Sequence, residues 1–257
     1  MTNDWASAEW TVLGEFPLAP AVNVALDEIL LDEVASGIRG PTLRFWSWAS
    51  RAVIIGRFQS LRNEVDLDAA GQMEVEVVRR ISGGGAMFVE PGRAITYSLY
   101  FPEKLVSHLS IVASYEYCDS WVVDSLRELG VPAHYRPIND IACQDGKIGG
   151  AAQARRGAAV LHHTTIAYEM NPTDMLRVLR IGREKMSDKG TTSAAKRVSP
   201  IARHTQMSRA DVYQSLYARF LSRFRGEAST LDDASLDAAR RLADAKFSDP
   251  TWTAVLS

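Results

Sequence analysis

Three consecutive glycines, Gly83, Gly84 and Gly85, follow a run of branched apolar residues (Val75, Val77, Val78) and an arginine pair, Arg79 and Arg80. Glycine inside folded structure costs chain entropy and contributes no side-chain packing. A glycine triplet at the end of a predicted strand therefore needs a reason. Either the backbone must turn through positive φ, or something must approach it closely. A loop of bare amides forms an anion-binding concavity, and the arginines beside it can neutralise a phosphate or carboxylate. The alternative is a hairpin loop with two solvated arginines. No Gly-Lys-Ser/Thr follows the triplet, and it does not open a helix as G-x-G-x-x-G. Neither a Walker A loop nor a dinucleotide fold is indicated.

Around this loop the pattern is that of an α+β protein with mixed and antiparallel sheets and flanking helices. Residues 21–34 read as an amphipathic helix through Val24, Leu26, Ile29, Leu30 and Val34. Residues 42–48, 52–55, 75–78 and 94–101 read as strands, and 61–71 as polar and partly helical. Residues 107–130 carry the longest helical pattern, stopped by Gly130. Short strands are expected near 134–136, 141–143 and 147–153, then 158–169, with a turn at Asp145-Gly146. A short helix (172–179), an irregular basic stretch, a helix capped by Ser208 and a final helix (231–247) complete the chain. Helices and strands do not alternate, so a repeating βαβ fold is excluded.

The 257 residues suit one large domain. Apolar residues make up 46% and charged residues 23%, so a packed core is possible, and a net charge of −2 argues against whole-surface nucleic-acid binding. No stretch approaches the ~18 apolar residues that span a bilayer, and the first ten residues lack the features of a secretory signal. A cytoplasmic protein without membrane partners is expected.

A second cluster comprises Asn139, Asp140 and the run from Asp145 to Gln153. Lys147 precedes four small residues, Gly149, Gly150, Ala151 and Ala152, which admit a ligand or another backbone. Alone, Lys147 reads as an exposed lysine beside a turn. Beside the glycine loop, its ammonium can stabilise a carboxylate attacking a phosphate. His162 and His163 read as one exposed and one packed imidazole, without the spacing of a zinc site. The two cysteines form neither a disulfide framework nor a zinc pattern: Cys118 reads as a buried helical thiol, and Cys143 lies across the turn from Lys147.

Taken in order, these pieces resemble the lipoate–protein ligase A family, whose catalytic fold is shared with biotin–protein ligases and octanoyltransferases. NVALDE at 23–28 resembles the family's N-x-A-x-(D/E)-E helix. FWSWASRAVIIGRFQ at 45–59, with Glu64 after it, resembles its W…vviGr.Q hairpin. RRISGGGAMF at 79–88 resembles RR-x-SGGGAVF. Asn139-Asp140 with 147–153 resembles ND…g.KisGsA, His162–Thr164 resembles hHgT, and 188–198 resembles K.....S...RV. The resemblance covers about residues 15–200.

The resemblance implies a catalytic domain at 1–205 with a helical extension of the same domain at 206–257. It implies that Arg80, Ser82 and the backbone of Gly85, Ala86, Met87 and Phe88 hold ATP, and that Gly83 and Gly84 admit the ligand. Lys147 would contact the lipoate carboxylate and the phosphate, while Asn139, Asp140, Gly150, Ala151 and His163 line the pocket. Trp46, Trp48, Phe58 and Met87 would line an apolar tunnel. The implied reaction consumes ATP·Mg²⁺ and lipoate, forms lipoyl-AMP, and transfers the lipoyl group to a lysine of a lipoyl-domain acceptor protein, with a separate accessory subunit as a further partner. The rival within the superfamily is a cysteine-dependent octanoyl or lipoyl transferase. Its cysteine position falls near Pro132 in one group and well downstream in the other, where this chain has no cysteine; Cys143 is the remaining candidate thiol and reads as structural, which favours the ATP-dependent ligase. The chain departs from the ligase pattern at Val89-Glu90 and Gly92-Arg93. A non-catalytic binding module would suit those departures, but the retained Arg80, glycines and Lys147 oppose it.

Overall fold

A computed structural model of the chain describes residues 5–180 and 198–256. The strands are β1 (Trp10–Leu13), β2 (Pro17–Leu18), β3 (Thr42–Trp48), β4 (Ala52–Ile55), β5 (Glu76–Arg79), β6 (Met87–Val89), β7 (Ala94–Pro102), β8 (His134–Arg136), β9 (Asp140–Cys143), β10 (Gly146–Arg156), β11 (Ala159–Ala167) and β12 (Gly226–Ser229). The main helices are α1 (Pro20–Ala35), α2 (Leu61–Glu64), α3 (Leu67–Gln72), α4 (Ile111–Glu128), α5 (Pro172–Val178), α6 (Arg209–Arg223), α7 (Asp233–Leu242) and α8 (Pro250–Thr253). The class is α+β, as the pattern implies. The large sheet runs β12-β1-β3-β7-β11-β10-β9-β8, with β2 beside β3. The small sheet runs β5-β4-β6.

The central strand β7 is buried on both faces. Ile95, Tyr97, Leu99 and Phe101 join one core with Trp121, Val122 and Leu126 of α4 and Leu216 and Phe220 of α6. The opposite face carries Ser98 and Tyr100 toward α1. Alternation along this strand thus separates two buried environments, not core from solvent.

Helix α1 is not amphipathic in the usual sense. Asn23, Asp27 and Glu28 are buried along with Val24, Leu26 and Leu30. The helix lies between the sheet and the terminal helix α7, so both of its sides are covered. Its buried acids are consequently all engaged: Asp27 by hydroxyls and a histidine, Glu28 by Lys246 and Arg156.

In the small sheet β4 lies between β5 and β6, parallel to the first and antiparallel to the second. The chain from β5 to β6 must therefore cross the end of β4, and residues 80–86 make that crossing. This topology is what draws the glycine loop over the sheet's end. Strands β9 and β10 form a hairpin with Cys143 opposite Gly146, so the turn residues are Gln144 and Asp145, one position earlier than expected. Ser208 caps α6 through a reciprocal capping box with Asp211.

Strands β1, β2, β6 and β12 and the helix α8 are additions to the pattern read from sequence. β12 is a polar, exposed edge strand pairing in parallel with β1. The terminal helices pack on α1, and the carbonyls of Thr253 and Leu256 accept hydrogen bonds from Arg79. No described helix is long and apolar enough to cross a membrane. Residues 188–197 of the K.....S...RV segment, and most of the basic stretch 185–203, lie outside the described residues.

Candidate active site

A cavity of about 910 Å³ opens between the two sheets. Its walls come from the glycine loop and β6, from β10 and β11, and from the region of α2 and α5. Arg80, Gly85, Ala86, Met87 and Phe88 line it on one side. Asn139, Lys147, Gly150, Ala151 and His163 line it on the other. The two sequence clusters, some sixty residues apart, thus meet in one cavity.

The arginine pair divides its labour in a way the sequence did not reveal. Arg79 faces away from the cavity. Its guanidinium donates to the carbonyls of Gly56, Arg57 and Gln59 and of Thr253 and Leu256, tying the C-terminal helix to the small sheet. It is not available to neutralise a phosphate. Arg80 lies at the cavity wall but is buried. Its Nε donates to Ser82 Oγ at 3.0 Å, Nη1 to the Ile54 carbonyl at 3.1 Å, and Nη2 to the carbonyls of Gly83 at 2.5 Å and Gly85 at 2.9 Å. The guanidinium therefore shapes the loop from beneath. Burial pulls its pKa down to about 10, leaving it charged at neutral pH.

Gly83 and Gly84 are not among the residues that line the cavity. Gly84 has φ of +88°, and a Cβ there would lie 3.0 Å from Arg80 Nη2. It is glycine because the crossing over β4 requires this turn above a buried cation. Gly85 is the member of the triplet that faces the cavity.

Ser82 also lies outside the lining, but it heads a buried chain of hydrogen bonds. Its Oγ accepts from Arg80 and lies 2.7 Å from His163 Nε2. His163 Nδ1 lies 2.7 Å from Asp27 Oδ2. Asp27 Oδ1 accepts from Ser98 at 2.9 Å and from the Tyr100 hydroxyl. One proton arrangement satisfies every member: Arg80 donates to Ser82, Ser82 to neutral His163, and His163 to Asp27. Burial lowers the His163 pKa, opposed by Asp27, which is consistent with the neutral ring. Asp27 was missed as a site residue. The available signal was an acid one helical turn after Asn23, set among Val, Ala and Leu in the first half of α1.

The two histidines alternate to opposite faces of β11. His163 turns to the cavity side. His162, fully buried, pairs with Asp119 at 2.8 Å and Gln153 at 3.1 Å on the α4 side. Neither is exposed, because β11 is an interior strand covered on both faces.

Lys147 Nζ lies 2.6 Å from Asp140 Oδ1. Its side chain is 40% exposed, so it remains accessible from the cavity. Burial would raise the Asp140 carboxyl, but hydrogen bonds and charge from Lys147 and Arg136 hold it below the usual carboxylate range. Asp140 itself is outside the lining and acts as the anchor. Gly150 clears the lysine's path: a Cβ there would meet Nζ at 2.6 Å. Asn139 donates to the Ala151 carbonyl at 2.6 Å, and its own carbonyl accepts from the Ala151 amide at 2.8 Å, holding the strand that follows the lysine.

Of the expected tunnel residues, Trp46 and Met87 line the cavity. Trp48 is buried core, and Phe58 is 76% exposed against the outer side of Gly83. At the departure positions, Glu90 lines the cavity and is buried between Arg51 (3.4 Å) and Arg93 (3.5 Å). Arg93 is itself a lining residue.

Cys143 does not line the cavity. Lys147 pairs with Ala142, so the adjacent Cys143 projects from the opposite face of the hairpin. There it joins the core with Ile141 and Ile148 and approaches His204. Cys118 is fully buried in α4.

The Lipoyl protein ligase A/B catalytic domain model matches residues 19–221. Lipoate-protein ligase A subunit 1 of Thermoplasma acidophilum is 30% identical, covering 94% of both chains. The octanoyltransferase LipM of an Exiguobacterium species is 35% identical over 61% of this chain, which spans 65% of that protein's length. Among solved structures, one from a bi-partite lipoate protein ligase system of Thermoplasma acidophilum has a TM-score of 0.83 at 28% identity over 97% of both chains. A lipoate-protein ligase A bound with ATP has a TM-score of 0.82 at 27% identity, covering 97% of this chain and 100% of that one. The chain therefore belongs to the lipoyl protein ligase A/B catalytic-domain family.

Proposed function

We propose that the chain is an ATP-dependent lipoate–protein ligase. The observation that carries this reading is the composition of the cavity. Lys147 and the segment Gly85–Phe88 line it, while both cysteines of the chain lie elsewhere. The cysteine-dependent transfer that is the alternative needs a thiolate at the substrate. Adenylate chemistry needs none, and proceeds by positioning and charge stabilisation. The solved relative bound with ATP supports the same reading. The transferase alternative rests on the LipM relatives and on Cys143, whose placement behind the hairpin disfavours it.

In the first step a carboxylate oxygen of lipoate attacks the α-phosphorus of ATP, and the bond to pyrophosphate breaks. The segment Gly85–Phe88, which lines the cavity, is the part of the wall we assign to the phosphates. Lys147 has three N–H donors. Asp140 takes one, leaving two for the lipoate carboxylate and the α-phosphate. Glu64 and Glu169, which line the cavity, offer the oxygen donors that would hold a nucleotide-borne Mg²⁺, and the ion would neutralise phosphate charge. Trp46, Ile54, Met87 and Met175 give the apolar wall for the dithiolane and alkyl tail. In the second step the neutral amine of a lipoyl-domain lysine attacks the carbonyl carbon. An amide forms, AMP leaves, and the amine's proton passes to solvent.

Residues 206–256 belong to this catalytic unit in our reading, with Arg79 and α1 holding the last helices against it, and a separate accessory subunit acts with it. The relative named subunit 1 and the bi-partite system support that division. The test is pyrophosphate release from ATP on addition of lipoate. Release in wild type and its loss in Lys147→Ala is the expected result; lipoate-independent release, or full release by Lys147→Ala, opposes the reading.

A further inference from the structure

Behind the lysine hairpin, on the face away from the cavity, Cys143, Asp145 and His204 converge. Their donor atoms, Sγ, a carboxylate oxygen and an imidazole nitrogen, all lie within 4.8 Å of one another. We propose that these three side chains form a binding site for a divalent transition metal of the zinc class.

The geometry is that of a metal's donors. Metal–sulfur and metal–nitrogen bonds of about 2.3 and 2.0–2.1 Å, at a tetrahedral angle, place sulfur and nitrogen roughly 3.6 Å apart. Cys143 Sγ and His204 Nε2 are 3.6 Å apart. A thiolate and an imidazole are the donor types that select zinc, cobalt or copper over magnesium and calcium. Binding displaces the Cys143 thiol proton to solvent. The resulting thiolate and the Asp145 carboxylate together balance the charge of a divalent ion. The site also has an entry path, since Asp145 is exposed and His204 half-buried while Cys143 forms the floor. In the metal-free chain Ser199 Oγ lies 2.8 Å from the same His204 Nε2, so the metal competes with one hydroxyl for that lone pair.

The consequence is mechanical. Val198 bridges to Lys147, and the Ser199 amide donates to the Lys147 carbonyl at 2.8 Å. A metal joining the 143–145 turn to His204 pins two segments that meet at Lys147. Metal binding itself does not depend on the reaction proposed above.

The experiment titrates the metal-free full-length chain with Co²⁺, then displaces it with Zn²⁺. The expected result is one equivalent of Co²⁺, with near-ultraviolet thiolate-to-cobalt charge transfer and visible ligand-field bands, both removed by Zn²⁺. Cys143→Ser abolishes the charge-transfer band. His204→Gln removes a direct imidazole donor and weakens binding by more than the about 10- to 100-fold typical of losing a group that only supports a ligand, while Ser199→Ala binds at least as tightly as wild type. A Cys143–His204 hydrogen bond with no metal function predicts no saturable absorbance. That result, or equal affinity in wild type and His204→Gln, overturns the proposal.

Discussion

The glycine loop and the lysine hairpin line the same cavity, but they are held in opposite ways. Beneath the loop, Arg80 spends its guanidinium on the carbonyls of Ile54, Gly83 and Gly85 and on Ser82, and the chain through His163 to Asp27 is buried throughout. The hairpin offers a single ammonium, 40% exposed and tied to one half-buried carboxylate. The loop is preformed, which suits a fixed cradle for phosphates. The lysine can be re-aimed, which suits a charge that must follow a carboxylate as it becomes an anhydride. Substitutions under the loop should therefore cost stability, and those on the hairpin should cost rate.

The largest effect is expected beneath the loop. Arg80→Ala orphans the buried Ile54 carbonyl and removes the hydrogen bonds to the part-buried Gly83 and Gly85 carbonyls, at about 1–3 kcal/mol for each group left without a partner. Chemical denaturation should show a loss of about 3 kcal/mol or more; a change below 1 kcal/mol would mean that the loop holds its shape without the cation. On the hairpin, Lys147→Ala should slow lipoyl-AMP formation by about 10²–10³-fold, the cost of removing one charge-stabilising donor. Its unfolding free energy should stay within about 0.5 kcal/mol of wild type, since the group is largely solvated. A stability loss equal to that of Arg80→Ala would erase the contrast.

Two smaller effects sharpen the comparison. The folded-state pKa of His163 is lowered, so below its unfolded value of about 6.5 the unfolded chain binds more protons. Stability is then full above about pH 6.5 and falls as pH drops below it. His163→Gln should flatten this part of the pH–stability curve, and an unchanged slope would remove His163 from the account. Gly150→Ala, whose Cβ would meet Lys147 Nζ at 2.6 Å, should lower the rate of lipoyl-AMP formation by pushing the lysine aside. A rate equal to that of wild type would mean that the lysine reaches its substrates past the added methyl group.

The same contrast explains what was legible in the sequence. The loop and the hairpin are local: glycines and lysine stand within a few residues of the turns they serve, so their convergence could be inferred. The supports are not local. Arg79 reads like Arg80 until the chain end, some 170 residues later, supplies its acceptors. Asp27, Ser82 and His163 belong to three separate segments, and only the stacking of α1 on β7 and β11 joins them. Strand β12 was missed because a polar four-residue edge strand has no apolar period, and its pairing with β1 joins the two ends of the chain. The histidine pair was read with one ring in solvent because alternation was taken to mean one wet face; in this sheet both faces of β11 are covered.

The central claim is that the cavity activates its substrate with ATP and without a protein thiol. Mass spectrometry of a lipoyl-domain acceptor tests it most directly, using lipoate with and without ATP, and an octanoylated carrier protein as the alternative donor. The account predicts that the acceptor gains the lipoyl mass only with ATP, in wild type and in Cys143→Ala alike, and not in Lys147→Ala. Transfer from the octanoylated carrier without ATP, lost in Cys143→Ala, would contradict it.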